Sequence, residues 1–371
     1  MTCGEGHNNI AKSLEEKFRA LGHSAETVQI FRSNERKLKA ANDAYLFAVK
    51  YFPNIYNAAW NMGRKKKIKG RYNNLVQRDV KPYTEDMLAA IEEYRPDAIV
   101  CTHFYASTII SNLIKDGKIS GNIKTYSILT DYCVHPYWEN SVHIDYVFTP
   151  TPGVAPELYR RGFTPEQLLC LGFPVNEKFS KPVDKTAARK TLDIPKDKFV
   201  ATAIAGGNGI GLLPLVRQMS KIERDFILIV VCGRNAEMKE AIEKYVYRRK
   251  RKNVICFGFV NNVDIIMGAS DVLISRGGAC SCTEAMNLNL PLIIREKMII
   301  NEDINKKNLI ELGCAIGLSK ISDIIPVINN LTDNPSELER IKENMRANAM
   351  PDAISAIYEN IISRYDKEKI K

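Results

Sequence analysis

The chain has 371 residues, a length that predicts two domains of roughly 150–200 residues rather than one. Hydrophobic residues make up 45% of it and charged residues 26%, a composition that excludes a disordered chain. Lys and Arg exceed Asp and Glu by 53 to 43, and this net charge of +10 favours an anionic partner, either acidic lipid or nucleic acid.

The sequence also bears on cellular location. No apolar run reaches the ~18–20 residues that cross a bilayer, and no basic flank with an apolar signal core opens the chain. The nine cysteines form no C-x-x-C pair, which is typical of reduced thiols. We therefore expect a cytoplasmic protein that neither spans the membrane nor is secreted.

In the N-terminal half, apolar periodicity predicts alternating helices and strands. The predicted helices are residues 9–21 and 84–94, and the predicted strands are residues 25–30, 98–102, 124–129 and 146–149. Residues 33–71 do not show the pattern of a strand followed by a helix. Aromatic residues are interleaved there with a basic run. We interpret this segment as a functional insertion.

The C-terminal half predicts a regular α/β domain, because its strands are almost wholly apolar, as in parallel sheets covered on both faces. The strands are predicted at residues 199–205, 226–232, 254–257, 271–275 and 291–294, with helices at 212–222, 236–247, from 263, and 282–288. Gly172 and Pro174 interrupt regular structure between the halves. We predict domains at residues 1–176 and 177–350, with a last helix in residues 351–371.

Three glycine-rich segments carry the candidate chemistry. Gly4 to Asn8 open a helix, where a helix N-terminus favours negative charge and His7 can transfer protons. Residues 205–211 follow a strand and precede a helix, the context of a phosphate cradle. Residues 275–285 again follow an apolar strand and combine Arg276 with Glu284, a carboxylate placed to grip vicinal hydroxyls.

Together, these segments and several others resemble the monogalactosyldiacylglycerol synthases and the bacterial processive diacylglycerol glucosyltransferases. The similarity runs in order along the chain from Gly4 to about Ala315. The matching motifs are G-x-G-H-N from Gly4, Pro-x-x-Tyr at 53–56, Thr-Asp-Tyr-x-x-His-Pro at 130–136, Gly-Phe-Pro-Val at 172–175, and the segments 206–211, 258–260, 276–278 and 283–285.

The resemblance implies a GT-B fold, in which two Rossmann-like domains face each other across a cleft. The N-terminal domain would take the acceptor and the C-terminal domain a UDP-hexose. The implied donor-binding residues are Gly206, Gly207, Asn208, Gly209 and Gly211 at the diphosphate, Phe259 and Val260 at the uracil, Glu284 at the ribose, and Arg276, Gly277, Gly278, Thr283, Asn301 and Glu302 around them.

The implied reaction is an inverting transfer of glucose or galactose onto diacylglycerol. His7 is the candidate general base, with Asp131 as its competitor or its orienting group. We expect no metal and no cofactor, since cations and backbone dipoles would stabilise the leaving diphosphate. Asn301 stands where the family has Gln, so the sugar is left undetermined.

The implied acceptor and membrane residues lie in the N-terminal domain. They are Gly6, Asn8, Tyr56, Trp60, Lys65, Lys66, Lys67 and His135. The aromatic residues from Phe47 onward, followed by six basic residues in 64–71, predict docking of this domain on the anionic inner face of the cell membrane.

Two alternatives stay open at this point. A UDP-N-acetylglucosamine transferase acting on a polyprenyl-linked precursor would share the fold, and Arg276 suits such a relative. A non-catalytic nucleotide- or RNA-binding protein would use the basic runs and their aromatic neighbours. We expect no nucleic-acid partner, because that function leaves both phosphate cradles unexplained.

Overall fold

The computed structural model describes residues 5–30, the isolated positions 47, 52, 54, 55, 57, 58, 60, 61, 77 and 78, and residues 80–369 except 208, 297 and 298. It divides into two compact units. The first comprises Met1–Asn176 and Asp352–Lys371, and the second comprises Glu177–Pro351.

The first unit is built on a four-stranded parallel sheet. Its strands lie in chain order: β1 (Ala98–Cys101), β2 (Lys124–Ile128), β3 (Tyr146–Thr149) and β4 (Leu168–Cys170). Its helices are α1 (Glu5–Ala20), α2 (Thr84–Tyr94), α3 (Phe104–Lys115), α4 (Ala155–Arg160) and α13 (Ala353–Lys369). The last of these contacts α1, where Tyr358 meets the ring of Phe18.

The predicted strand at residues 25–30 is wrong. These residues pair with no strand of the described sheet, and β1 is that sheet's edge. The other predicted strands of this half are confirmed to within one residue at each end. The three-residue strand β4 was not predicted, because so short a run carries no clear periodicity.

The second unit contains a six-stranded parallel sheet in the order β10-β9-β8-β5-β6-β7. The strands are β5 (Phe199–Ile204), β6 (Phe226–Val231), β7 (Val254–Phe257), β8 (Val272–Ser275), β9 (Leu292–Ile294) and β10 (Ala315–Gly317). The helices are α5 (Lys185–Thr191), α6 (Leu212–Met219), α7 (Ala236–Arg248), α8 (Val263–Ala269), α9 (Ala279–Asn287), α10 (Ile300–Glu311), α11 (Ile324–Asp333) and α12 (Pro335–Asn348).

The order of this sheet determines where a ligand can bind. From β5 the chain proceeds outward through β6 and β7 on one side, and then from β8 through β9 and β10 on the other. The reversal places a topological switch point between β5 and β8, and open α/β sheets bind ligands beyond the carboxyl ends of the strands at such a point. The helices cover both faces, which explains the continuous apolar run of β6.

Within the part of the chain that the structure describes, no helix combines the length and the apolar character needed to span a bilayer.

Candidate active site

His7 lies in the first turn of α1, at the edge of the first unit's sheet where the strands end. Thr102 directly follows β1, and Thr130 follows β2 by two residues. The carboxyl ends of parallel strands meet at one edge, so three residues that are distant in sequence come together there. The Nδ1 atom of His7 lies 2.7 Å from the carbonyl oxygen of Thr102 and 2.9 Å from the hydroxyl of Thr130.

These contacts determine the tautomer of His7. The Thr102 carbonyl can only accept a hydrogen bond, so Nδ1 must carry the proton and donate it. The Thr130 hydroxyl in turn donates to the same carbonyl at 3.4 Å. The Nε2 atom is therefore left as the proton-accepting nitrogen of the ring. Sequence analysis assigned no role to either threonine, although Thr102 ends one predicted strand and Thr130 follows another and opens the Thr-Asp-Tyr motif.

Burial lowers the pKa of His7 to about 4, although the hydrogen bond to Thr102 raises it in part. The imidazole is thus neutral at pH 7. A neutral ring with Nδ1 engaged and Nε2 free has the protonation state that a general base requires.

Two further histidines lie in this region, and one of them contacts His7. His103 meets it edge to face at 4.5 Å, and His135 stacks on Phe104 at 4.5 Å. Both act as helix caps, since Nδ1 of His103 accepts from the N–H of Tyr105 and Nδ1 of His135 accepts from that of Tyr137. Burial lowers the pKa of His135 to about 3, and that of His103 well below its ordinary value.

The remaining predicted residues of this region divide into three groups. Gly6 and Asn8 lie in α1 beside His7. Asp131 accepts a hydrogen bond from the N–H of Tyr132 at 3.2 Å, and its catalytic role stays a prediction. Tyr56, Lys65, Lys66 and Lys67 lie outside the described residues.

Trp60 does not belong to an exposed aromatic surface. Only 6% of it is exposed, and its ring meets that of His135 at 4.2 Å. The prediction that Trp60 faces the membrane is wrong, because a large ring beside other buried rings gains more by packing than by exposure. Phe47, Phe52 and Ile55 remain exposed by 56%, 49% and 66%.

In the second unit, the glycine-rich turn joins β5 to α6. Gly206, Gly209 and Gly211 all adopt positive φ angles. A Cβ at Gly209 would lie 2.8 Å from the backbone carbonyl oxygen of Cys232, so no other residue fits there without a shift of the backbone. Gly207 accepts a hydrogen bond from the N–H of Arg234, and Asn208 is outside the described residues.

Arg295 is a site residue that sequence analysis missed. It follows β9 directly and is only 4% exposed. Its guanidinium donates to the carbonyl of Gly211 at 2.8 Å and pairs with Glu296 at 2.7 Å. A buried cation is thereby held against the end of the glycine-rich turn. The signal that could have identified it is a charged residue at the end of an apolar strand.

The second glycine pair, Gly277 and Gly278, joins β8 to α9. Gly277 has a φ of +94°, and a Cβ there would approach the carbonyl oxygen of Glu302 to 2.9 Å. The side chain of Asn305 donates to the Gly277 carbonyl at 2.9 Å. The loop after β8 is therefore fixed by α10, which carries both Glu302 and Asn305.

Arg276 and Glu302 form an ion pair with both carboxylate oxygens 3.1 Å from one guanidinium nitrogen. Both side chains are nearly buried, at 12% and 13% exposure. Arg276, the cation predicted at the donor site, is therefore paired with Glu302, the carboxylate predicted to contact the sugar. Asn301 precedes Glu302 in the first turn of α10.

Glu284 lies in the second turn of α9, the helix that begins at the second glycine pair. Burial raises its pKa to about 8, against the opposing effect of Lys178 and with a further contribution from Asp264. Lys178 itself bonds to Asp264 at 3.2 Å and to the carbonyl of Asn261 at 2.6 Å. Sequence analysis also missed Lys178, which lies near Glu284 at the predicted ribose site.

The predicted uracil residues follow β7. Phe259 is 59% exposed, and the guanidinium of Arg234 lies 5.0 Å from its ring centre. An exposed aromatic face beside a cation offers a stacking surface for a base. Val260 packs on the domain core, and the hydroxyl of buried Thr283 donates to the carbonyl of Ala279.

The two glycine-rich loops thus end the two strands that flank the switch point, β5 and β8. Backbone N–H groups, a buried guanidinium and a buried carboxylate lie at that edge. This arrangement can hold an anionic group with an attached polyhydroxyl moiety.

Comparison with known proteins agrees with this geometry. Residues 7–175 match the monogalactosyldiacylglycerol (MGDG) synthase family, and residues 207–357 match the glycosyltransferase family 28 C-terminal domain. A processive diacylglycerol beta-glucosyltransferase of Bacillus pumilus is 24% identical over 368 residues, covering 98% of this chain and 93% of the relative.

Solved structures show the same fold. S. aureus MnaA with UDP superposes with a TM-score of 0.60 at 14% identity, covering 97% of this chain and 92% of that one. A glycosyltransferase of Rickettsia africae gives a TM-score of 0.56 at 14% identity, with coverage of 98% and 96%. The two Rossmann-like units therefore form a GT-B fold, and the chain combines a domain that matches the monogalactosyldiacylglycerol synthase family with one that matches the glycosyltransferase family 28 C-terminal domain.

Proposed function

We propose that this chain transfers a hexose from a UDP-sugar to the free hydroxyl of diacylglycerol, with inversion at the anomeric carbon. The observation that carries the proposal is the pairing of two glycine-rich loops at the switch point of the second unit. Relatives named for diacylglycerol glucosyl transfer over nearly the whole chain support the choice of acceptor.

In the proposed reaction, the acceptor hydroxyl attacks the anomeric carbon while Nε2 of His7 takes its proton. The hydrogen bonds from Nδ1 to Thr102 and Thr130 hold the ring and stabilise the imidazolium that forms. The bond from the anomeric carbon to the UDP oxygen breaks as the new C–O bond forms. The electron pair of the broken bond leaves with UDP.

The departing diphosphate gains negative charge, and three features of the second unit are placed to stabilise it. The N-termini of α6 and α9 carry partial positive charge. The backbone N–H groups of Gly206, Gly207 and Gly211 would come close to the diphosphate, because glycine has no side chain to hold it away. Arg295, held against Gly211, supplies a buried positive charge.

We further propose that Glu284 accepts hydrogen bonds from the ribose hydroxyls and that Phe259 stacks on the uracil. Asn301 and Glu302 would contact the sugar, with Glu302 held in place by Arg276. Because the Arg276–Glu302 pair is already formed, Arg276 acts chiefly to position this carboxylate.

For the membrane, we propose that exposed apolar residues of the first unit enter the headgroup region of an anionic bilayer. Phe47, Phe52 and Ile55 supply the apolar surface, and the rings of Phe47 and Phe52 lie 5.8 Å apart. The basic residues at 64–71 lie outside the described part of the chain, and their role rests on charge alone.

The direct test is an assay of the purified chain with diacylglycerol in phosphatidylglycerol vesicles and, separately, UDP-glucose and UDP-galactose. The proposal expects a glycolipid from one of these donors. A polyprenyl-linked acceptor with UDP-N-acetylglucosamine is the competing arm, and exclusive turnover there would overturn the choice of acceptor. An electrophoretic mobility-shift assay with RNA tests the alternative that the chain is a non-catalytic RNA-binding protein.

A further inference from the structure

Lys178 lies in a short helical turn, Glu177–Phe179, at the start of the second unit. The turn packs against α9, the helix that carries Glu284. The ring of Phe179 is only 3% exposed and holds the turn in place. The Lys178 side chain is 36% exposed, so its ammonium group is partly shielded from water.

Two partners fix the ammonium group of Lys178. Its Nζ atom donates to the carbonyl oxygen of Asn261 at 2.6 Å and lies 3.2 Å from Oδ1 of Asp264, whose side chain is 17% exposed. Asp264 is in the first turn of α8, and Asn261 comes directly after Phe259 and Val260, the proposed uracil residues. Lys178 therefore holds the segment that leads from the uracil residues into α8.

The charge of Lys178 also acts on Glu284. Burial is the largest effect on this carboxyl group and raises its pKa to about 8. Lys178 lowers that pKa, and Asp264 of α8 raises it further. The two members of one ion pair thus act on Glu284 in opposite directions.

The other charged groups on the elements that pack against α9 have partners or are exposed. The helix α12 also contacts α9, and four of its charged residues pair within that helix, Glu337 with Arg340 and Glu339 with Lys342. The remaining ones, Glu343 and Arg346 of α12 and Glu177 beside Lys178, are exposed. Among the residues that the structure describes, Lys178 is therefore the cation that acts on Glu284.

We propose that Lys178 is a positioning residue of the nucleoside site, where it orients the segment after the uracil residues and favours the carboxylate form of Glu284. That form accepts hydrogen bonds from the ribose hydroxyls, so the inference rests on the proposed role of Glu284. Asp264 opposes the effect, because it pairs with the positive charge of Lys178 and repels a second carboxylate. The ion pair therefore affects the charge of Glu284 as well as joining two parts of the fold.

The test measures the affinity of the full chain for uridine between pH 6 and pH 9. Lys178→Met removes the charge that favours the carboxylate, so the pKa of Glu284 rises and the midpoint of the affinity profile should move to higher pH. Asp264→Asn removes the repelling charge at nearly constant shape, so the midpoint should move to lower pH. We expect shifts of at least about 0.5 pH unit, which on the acid side of the midpoint is about threefold in affinity.

Two controls separate charge from packing. Lys178→Arg keeps the positive charge and should keep the midpoint of the unmodified chain within about 0.2 pH unit. In a Glu284→Gln background, adding Lys178→Met should no longer change the pH dependence, because the group that titrates is absent. Tm measured on every variant shows that it is folded, and Lys178→Gln replaces Lys178→Met if the latter does not fold.

Shifts of the same sign in Lys178→Met and Asp264→Asn would overturn the inference, because an ion pair that serves only the fold is broken equally by the loss of either partner. Unchanged midpoints in both variants would also overturn it. If Glu284→Gln still weakens uridine binding and removes its pH dependence, either result leaves the ribose assignment intact. A Glu284→Gln variant that binds uridine as tightly as the unmodified chain would instead contradict the proposed role of Glu284 and, with it, the inference.

Discussion

The ring of His7 and the carbonyl of Thr102 are joined by a 2.7 Å hydrogen bond across 95 positions of sequence. The bond fixes the proton on Nδ1 and leaves Nε2 as the basic nitrogen. The proposed base is therefore oriented by a backbone carbonyl and a neutral hydroxyl, neither of which titrates near neutral pH. Its protonation state then depends on burial and on the substrate, and not on a second ionisable group at Nδ1.

Thr130→Val removes the hydroxyl that shares the Nδ1 proton of His7 while it keeps the β-branched shape. We expect kcat to fall about tenfold, because the ring loses one of its two orienting contacts, with KM for the UDP-sugar nearly unchanged. Thr130→Ser should restore most of the rate. A loss of activity in both variants that matches a loss of folded protein would assign Thr130 a structural role only.

Gly209→Ala and Gly206→Ala test the fit of the glycine-rich turn. Both positions have positive φ angles, so both substitutions introduce backbone strain of about 1–2 kcal/mol. Only at Gly209 does the new methyl meet a backbone carbonyl, at 2.8 Å, whereas Gly206 has open space. Gly209→Ala should lower both the denaturant midpoint and the affinity for UDP further than Gly206→Ala. Equal effects at the two positions would contradict close packing of the turn.

Five of the six strands of the second unit were predicted nearly to the residue, because continuous apolar runs bounded by turn residues identify buried parallel strands, whereas the three-residue strand β10 was not predicted. The glycine loops could be assigned for the same reason, since they follow those strands. The contact of Arg295 with Gly211 could not, because a side-chain contact over 84 positions leaves no local pattern. The strand predicted at residues 25–30 was wrong for a related reason, because a strand needs a neighbouring strand to pair with and the local sequence does not specify that neighbour.

Glu284 should make nucleoside binding depend on pH. Burial raises its pKa to about 8, and hydrogen bonds from ribose hydroxyls favour the charged form, so binding should release a proton below pH 8. Affinity for uridine, which lacks phosphate groups that titrate in this range, should therefore rise from pH 6 to pH 8. Calorimetry in two buffers of different ionisation enthalpy measures the released proton.

Glu284→Gln is the matched control, because it keeps the shape and removes the titration. Its affinity for uridine should be weaker at pH 8, by roughly 1.5–3 kcal/mol, and flat between pH 6 and pH 8. A pH dependence that survives in this variant would assign the titration to another group.

His103 should destabilise the fold in mild acid. Burial first, and then the charges of neighbouring groups, lower its pKa well below 6.5. A folded-state pKa below the unfolded value means that the unfolded state gains protons first, so stability is lost as pH falls below 6.5. His103→Asn keeps a helix-capping acceptor but cannot be charged. Its Tm should fall less between pH 7 and pH 5 than that of the unmodified chain, and parallel profiles would refute this.

The most direct measurement is transfer of labelled hexose from its UDP-sugar to diacylglycerol by the unmodified chain and by His7→Ala, with UDP affinity measured on both proteins. The account predicts glycolipid from the unmodified chain, a kcat lower by roughly 10²–10⁴ in the variant, and UDP affinity within a factor of about two. A His7→Ala variant that folds, binds UDP and transfers sugar at an undiminished rate would contradict the assignment of His7 as the base.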